Sequence, residues 1–150
     1  MGFKKVLTRR VVVIMCSAAL LSCGRVRGYN STGATDIQAL NTALIKYELR
    51  FGGFAPNLKA LGSGYLDEGL SANAAGLIDS VLASGTKAGY HYRYQPLKPD
   101  AQGKYHAYEI HADPVDDSKH DQPHYFTNET GTIRVQIGRQ ADVNSSPEKQ

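Results

Sequence analysis

The chain has 150 residues, which is the length of a single domain. It carries 17 basic and 14 acidic residues and a formal net charge of +3, but four of the basic residues lie within the first ten positions. Beyond that segment 13 basic residues stand against 14 acidic ones, so the charge balance excludes a basic surface of the kind that binds nucleic-acid phosphates.

The first 22 residues have the layout of a secretory signal. Two lysines and two arginines form a positive n-region, and Val11 to Leu21 is an apolar run of eleven residues. A permanent membrane-spanning helix needs about 20 apolar residues, so this run is predicted to be a cleaved signal peptide.

The apolar run ends in Leu20-Leu21-Ser22-Cys23, which resembles the lipobox of bacterial lipoproteins. In that family the signal is cut before the cysteine and the thiol is lipidated, so the resemblance implies a mature chain of 128 residues anchored to the membrane through Cys23. The alternative is an ordinary signal with a chance cysteine. Gly24 after the cysteine, with no aspartate there, is similar to lipoproteins sorted to the outer membrane. Cys16 leaves with the signal, so no disulfide is predicted in the mature chain.

The clearest helical pattern lies between Thr35 and Arg50. Thr35 and Gln38 are predicted to form a capping box at its start, and the Gly52-Gly53 pair to form a left-handed cap at its end. One apolar stripe, typical of a helix that packs on a core, contains Ile37, Leu40, Leu44, Tyr47 and Phe51.

Ile45 and Leu49 form a second apolar pair on this helix, outside the main stripe. They are predicted to contact a short helix, and a partner protein is the alternative. Two short helices are predicted downstream. Asn57 is predicted to cap the first of them. The second is predicted to span residues 76–83, and Gly85 is expected to stop it.

From residue 89 onward the apolar period changes to two. Tyr90, Tyr92 and Tyr94 alternate with polar residues, which predicts a strand whose tyrosines face the core; a stacking platform for a sugar or a base is the alternative. Further strands are predicted at 105–112, 124–127 and 132–137. The polar, aperiodic stretch 138–150 is predicted to be a disordered tail.

The order of these elements, together with several motifs, resembles the soluble domain of bacterial type IV pilin-like and type II secretion pseudopilin-like proteins. The motifs are the helix Ile37 to Ala43 and the segments Phe54 to Leu61, Gly76 to Gly85, Gly89 to Tyr94, Ile110 to Pro114 and Tyr125 to Arg134. The resemblance implies an α+β fold, in which one long N-terminal helix and short helices pack on a three- to four-stranded antiparallel sheet, the pilin-like head. It also implies protein partners from a pilus or secretion assembly.

One departure from that family changes the expected anchoring. A pilin leader is cut at a glycine and is followed by a phenylalanine and a glutamate in a long apolar helix, whereas this leader ends in a lipobox. The head is therefore expected to sit on a lipid anchor instead of a filament stalk. The predicted organisation is a signal peptide at 1–22, a tether at 23–33, the pilin-like domain at 34–137 and the tail at 138–150.

The loop that follows the second strand is rich in imidazoles and carboxylates, which are ligands for zinc and calcium. Its spacing matches neither an HExxH helix nor an EF-hand loop, and a solvated polar loop is the alternative to a metal site. Some pseudopilins bind calcium in a loop near the end of the sheet, so the resemblance implies calcium as a candidate ligand for this loop. The candidate metal residues are His111, Asp113, Asp116, Asp117, His120 and His124.

The outward face of the sheet is a second candidate site. His91 and Arg93 alternate with the tyrosines, and Glu109 alternates with the apolar residues of the next strand. These three residues are predicted to form either a docking surface for a partner or the solvated side of an antiparallel sheet.

No serine lies in a Gly-x-Ser-x-Gly elbow, and the sequence contains no Gly-rich phosphate loop. The sequence therefore predicts a protein that is not an enzyme and has no required cofactor. The predicted function is that of a lipoprotein anchored in the cell envelope, at the outer membrane, acting as a structural or protein-interaction module. The alternative is a periplasmic lipoprotein that binds calcium, zinc or a small ligand through the loop at 111–124.

Overall fold

The computed structural model describes residues 32–64, 70–116, 118 and 120–149. Helix α1 spans Thr32–Phe51 and is followed by two single-turn helices, α2 (Leu58–Leu61) and α3 (Ser80–Ala83). Strands in sequence order then form one antiparallel sheet. They are β1 (Thr86–Lys87), β2 (Tyr90–Leu97), β3 (Ala107–Pro114), β4 (Pro123–Asn128), β5 (Arg134–Ile137) and β6 (Ser146–Pro147).

The predicted three- to four-stranded pilin-like head is wrong. Over the described residues the protein is mostly a six-stranded antiparallel sheet, and the helices other than α1 are short. The unexpected strands are the two edge strands, β1 and β6, each of two residues. A two-residue strand cannot display an alternating pattern, so its pairing with the neighbouring strand is decided by the fold and not by local sequence.

Helix α1 packs on one face of the sheet through the predicted stripe. Ile37, Leu40 and Leu44 are fully buried, and Tyr47 is nearly so, which confirms the stripe. The capping box is wrong, because α1 already includes Thr32 and Thr35 lies inside it. At the other end Gly52 has a φ of +76° and its N–H donates to the Glu48 carbonyl, which confirms the left-handed cap.

The short helices show how a polar cap sets a helix boundary. Asn57 accepts a hydrogen bond from the Ala60 N–H at 3.0 Å, as predicted. The second short helix is shorter than predicted, because Asp79 caps it and accepts from the Leu82 N–H at 2.9 Å. Leu77 and Ile78 lie ahead of this cap, and both donate their N–H groups to the Leu61 carbonyl.

Buried hydrogen bonds attach α1 to the sheet alongside the apolar contacts. The Tyr108 hydroxyl donates to Asn41 Oδ1 at 3.0 Å, and Asn41 Nδ2 donates to Thr127 Oγ1 at 3.1 Å. Tyr92 donates to the carboxylate of Asp36 at 2.9 Å. A buried phenol needs such a partner, so the tyrosines fix the position of α1 as well as filling the core.

The start of α1 is also held by charge. Lys87 Nζ lies 3.1 Å from the buried carboxylate of Asp36 and 3.0 Å from the exposed carboxylate of Asp79. Hydrogen bonds to Asp79 and Asp36 raise the pKa of Lys87. The Leu82 N–H and the Lys87 ammonium lower the pKa of Asp79. Lys87 therefore ties α1, α3 and β1 together as a fixed cation.

The segment from Gly138 to Ser145, here called the crossing segment, is not the predicted disordered tail. Gly138 donates to the Gln122 carbonyl, Arg134 donates to the Ser145 carbonyl at 2.9 Å, and Ala141 is fully buried. Gly138 has a φ of +69°, and a Cβ there would overlap the carbonyl oxygen of His120. The crossing segment is held by contacts with distant residues and has no apolar period of its own.

The crossing segment covers part of the sheet face opposite α1. Gln140 Nε2 lies 3.1 Å from His111 Nδ1 on the outward face of β3. Along β4, His124 and Phe126 alternate with Tyr125 and Thr127 and therefore lie on the opposite face. His124 and Phe126 are nevertheless each only 3% exposed. Both faces of β4 are therefore buried, and on the outward face the ring of His111 packs on Phe126.

Candidate functional site

The predicted site residues are spread over several places. Cys23 and Asp117 lie outside the described residues. Asp116 and His120 are exposed on the loop between β3 and β4. His111 contacts Gln140 and packs on Phe126, with ring centroids 5.1 Å apart. Of the candidate metal residues, the structure brings Asp113 and His124 into hydrogen-bond contact.

The carboxylate of Asp113 joins three strands on the outward face of the sheet. Its Oδ1 lies 2.7 Å from His124 Nδ1 on β4, and its Oδ2 accepts a hydrogen bond from Arg93 Nη2 on β2. The register explains the second contact. His91 pairs with Asp113 and Arg93 with His111, so Arg93 and Asp113 are diagonal neighbours on one face.

The three side chains of this cluster differ in their exposure. The imidazole of His124 is 4% exposed, the carboxylate of Asp113 is 19% exposed and the side chain of Arg93 is 63% exposed. The buried histidine therefore orients the carboxylate, and the carboxylate orients an arginine that reaches the surface. The hydrogen bond to Asp113 directs the Arg93 guanidinium along this face of the sheet.

Asp113 uses both of its carboxylate oxygens within the protein. Over the described part of the chain there is no group of three or more His, Cys, Asp or Glu side chains that could hold a metal ion. Zinc takes three or four protein ligands, and the structure joins two of the predicted ones. The metal-binding alternative gains no support from the geometry of the described residues.

An open groove with a volume of about 660 Å³ lies beside the Asp113 cluster. The groove is lined by His91 and Arg93 from the predicted partner surface and by Asp113 and His124 from the candidate metal residues. The sequence had placed these two pairs in separate sites. Glu109 lies further along the same face, opposite Gln95 and Asn128. The polar side chains that line the groove include Thr86, His91, Arg93, Asp113, His124 and Gln140.

Thr86 and Gln140 are among the groove residues that the sequence analysis missed. Thr86 lies on the two-residue strand β1, and its Oγ1 is 2.9 Å from His91 Nδ1. Gln140 lies on the crossing segment, which was predicted to be disordered. Neither residue belongs to a motif, and both reach the groove through contacts that only the folded chain makes.

The second candidate surface is on α1. Ile45 is 51% exposed and Leu49 is 82% exposed, so the prediction that this pair contacts a short helix is wrong. Lys46 and Arg50 are exposed beside them, and the Arg50 guanidinium lies 5.3 Å from the centroid of the Phe51 ring. We call Ile45 and Leu49 the α1 outer stripe; it is bordered by basic side chains on one side and by Glu48 on the other.

None of the helices in the described ranges is both long and apolar enough to cross a membrane. The chain matches no protein-family model, no curated protein and no solved structure.

Proposed function

We propose that this chain is a lipoprotein anchored in the cell envelope, at the outer membrane, and that its folded domain binds a protein partner through the α1 outer stripe. The observation that carries the proposal is the exposure of Leu49 and Ile45 on a helix whose other side is fully packed. A contiguous exposed apolar patch is a common mark of a protein-contact site. The proposal assigns no catalytic activity to the domain.

The α1 outer stripe is far along the chain from the expected anchor. The described part of α1 begins at Thr32, nine positions after Cys23, and nine residues reach at most about 30 Å. Leu49 lies 17 positions further along the helix, about 26 Å from its start. The α1 outer stripe is therefore at the end of the helix away from the anchor.

The charges around the stripe indicate the chemistry of the partner. Lys46 and Arg50 border the apolar pair on one side and the half-buried Glu48 borders it on the other, so the matching surface has an apolar centre and a rim with charges of both signs. The sequence resemblance names proteins of a pilus or secretion assembly as the partners to test.

The anchor is tested by Cys23→Ser in the full chain. We expect the unaltered protein to incorporate a labelled fatty acid and to sediment with membranes, and the variant to lose both properties because a serine hydroxyl replaces the thiol. Cys16→Ser is the matched control and should keep the label, since that residue is predicted to leave with the signal. Mass spectrometry that finds an unmodified Cys23 on the native protein would overturn the anchor.

The α1 outer stripe is tested by Leu49→Glu, with Val143→Glu as the matched control at another exposed apolar residue. Affinity is measured between the purified chain in detergent and individually purified pilus or secretion components. We expect a component to bind, and Leu49→Glu to weaken binding about tenfold or more because a charge enters the apolar centre. Val143→Glu should bind normally. Equal binding by both variants, or no binding component at all, contradicts the proposal.

A further inference from the structure

We infer that the groove beside Asp113 binds a small organic anion, a molecule bearing a carboxylate or a phosphate group, through Arg93 and His91. This site goes beyond the proposed function, because it lies on the sheet face opposite α1 and involves no residue of the α1 outer stripe. The inference rests on which hydrogen-bonding groups in the groove remain available to a ligand.

Arg93 supplies the main donors. A guanidinium carries five N–H groups. The bond from Nη2 to Asp113 engages one end of it, and the side chain is 63% exposed. The remaining donors keep the fork geometry that matches a carboxylate or a phosphate. Asp113, the sole carboxylate among the described residues that line the groove, has both oxygens engaged. Its acceptors are therefore already used within the protein.

His91 adds a second donor. Its Nδ1 lies 2.9 Å from Thr86 Oγ1. When the threonine hydroxyl donates to Nδ1, the ring proton of the neutral imidazole is on Nε2. Thr86 thus orients a side chain that would otherwise be a mobile surface histidine. The groove then presents an N–H donor from His91 beside the donors of Arg93, and an anion satisfies both.

The site is organised before a ligand arrives. Asp113 holds Arg93 and is itself held by His124, which is 3% exposed. Binding usually costs side-chain entropy when it orders a flexible arginine, and the hydrogen bond to Asp113 already restricts the guanidinium of Arg93. The volume of about 660 Å³ lies in the range of small-molecule sites, so the groove has room for a small organic anion.

The test uses the full chain in detergent, with inorganic phosphate and citrate as separate probes and calcium chloride as a third. Binding is followed by isothermal titration and by the shifts of the backbone amide signals of Thr86, His91 and Arg93. We expect phosphate or citrate to shift these signals with a Kd of about 1 mM or tighter. A response to one probe and not the other tells which anionic group the groove accepts.

Arg93→Gln is expected to weaken anion binding about tenfold or more, because it removes the charge and the fork. Arg50→Gln, an exposed arginine on α1, is the matched control and should bind normally. His91→Gln is a second variant at an exposed site that should also weaken binding. The inference is overturned if neither anion shifts the groove signals, if Arg93→Gln binds as well as the unaltered chain, or if calcium alone binds there. Leu49→Glu should leave anion binding unchanged, which separates this test from that of the proposed function.

Discussion

Leu44→Ala is expected to lower the free energy of unfolding by about 2–5 kcal/mol. Leu44 has no exposed surface and lies between α1 and the sheet. The substitution removes buried methyl groups and leaves a cavity that the rigid helix and sheet can fill only in part. Because a domain of this size is typically stable by about 5–15 kcal/mol, the change should be evident as a lower denaturant midpoint, followed by far-ultraviolet circular dichroism.

Leu49→Ala is the matched control, since it is the same substitution five positions along the same helix. Leu49 is 82% exposed, and alanine is the better helix former, so we expect a change within about 0.5 kcal/mol. A comparable loss of stability in both variants would mean that α1 does not pack on the sheet through the stripe that contains Ile37, Leu44 and Tyr47. An unchanged Leu49→Ala midpoint also allows its partner binding to be measured without a folding defect.

Raising the pH above 10 is expected to unfold the protein through its buried tyrosines. Burial raises the pKa of Tyr108 to about 12 from its ordinary value of 10.0, and burial likewise raises the pKa of Tyr92 and of Tyr94. A phenol whose pKa is higher in the folded state than in the unfolded state stabilises the fold fully below pH 10. That contribution is lost as the pH rises through the folded pKa. For Tyr108 alone the full loss is about 3 kcal/mol, and it is complete only above pH 12.

The measurement is a titration of phenolate absorbance together with circular dichroism. We expect the buried tyrosines to ionise only as the circular dichroism of the fold is lost, above pH 10. The chain in denaturant is the control, in which all nine tyrosines titrate in a single step near pH 10. If the native chain also ionises all nine near pH 10 and keeps its circular dichroism, the tyrosines are not buried under α1.

The two candidate surfaces lie on opposite sides of the sheet. The α1 outer stripe faces away from the core on one side, and the groove beside Asp113 lies on the other, next to the crossing segment. Because they share no residue, partner binding and anion binding can be removed separately. A chain that carries both Leu49→Glu and Arg93→Gln should lose both properties and remain folded, since both side chains are mostly exposed.

The elements that sequence reasoning identified correctly are those whose signal is local. The stripe through Ile37, Leu40 and Leu44 needs only a helical period, and the alternation at Tyr90 and Tyr92 needs only a strand period. The cap at Asn57 needs only a side-chain oxygen within reach of the next turn. In the structure the helix stripe and the two tyrosines are buried, and Asn57 accepts the capping hydrogen bond.

The predicted fold class failed where strands are short and where segments lack a pattern. Both edge strands contain two residues, and each is defined by its partner, as in the pairing of Val135 with Ser146. The crossing segment is polar, yet Ala141 is fully buried and Gln140 reaches His111. Contacts between residues far apart in sequence hold these parts in place, so no local window contains the information.

By itself, the sequence determined the long helix, which of its faces is apolar and the tyrosine face of the sheet, because helix and strand periods are properties of adjacent residues. It also supplied four residues of the candidate site, but as separate groups: His91 and Arg93 on a strand, Asp113 and His124 in a loop. Only the tertiary structure decided that they meet. Strand register places Arg93 diagonally across from Asp113, and register is set by the pairing of whole strands and not by any single residue.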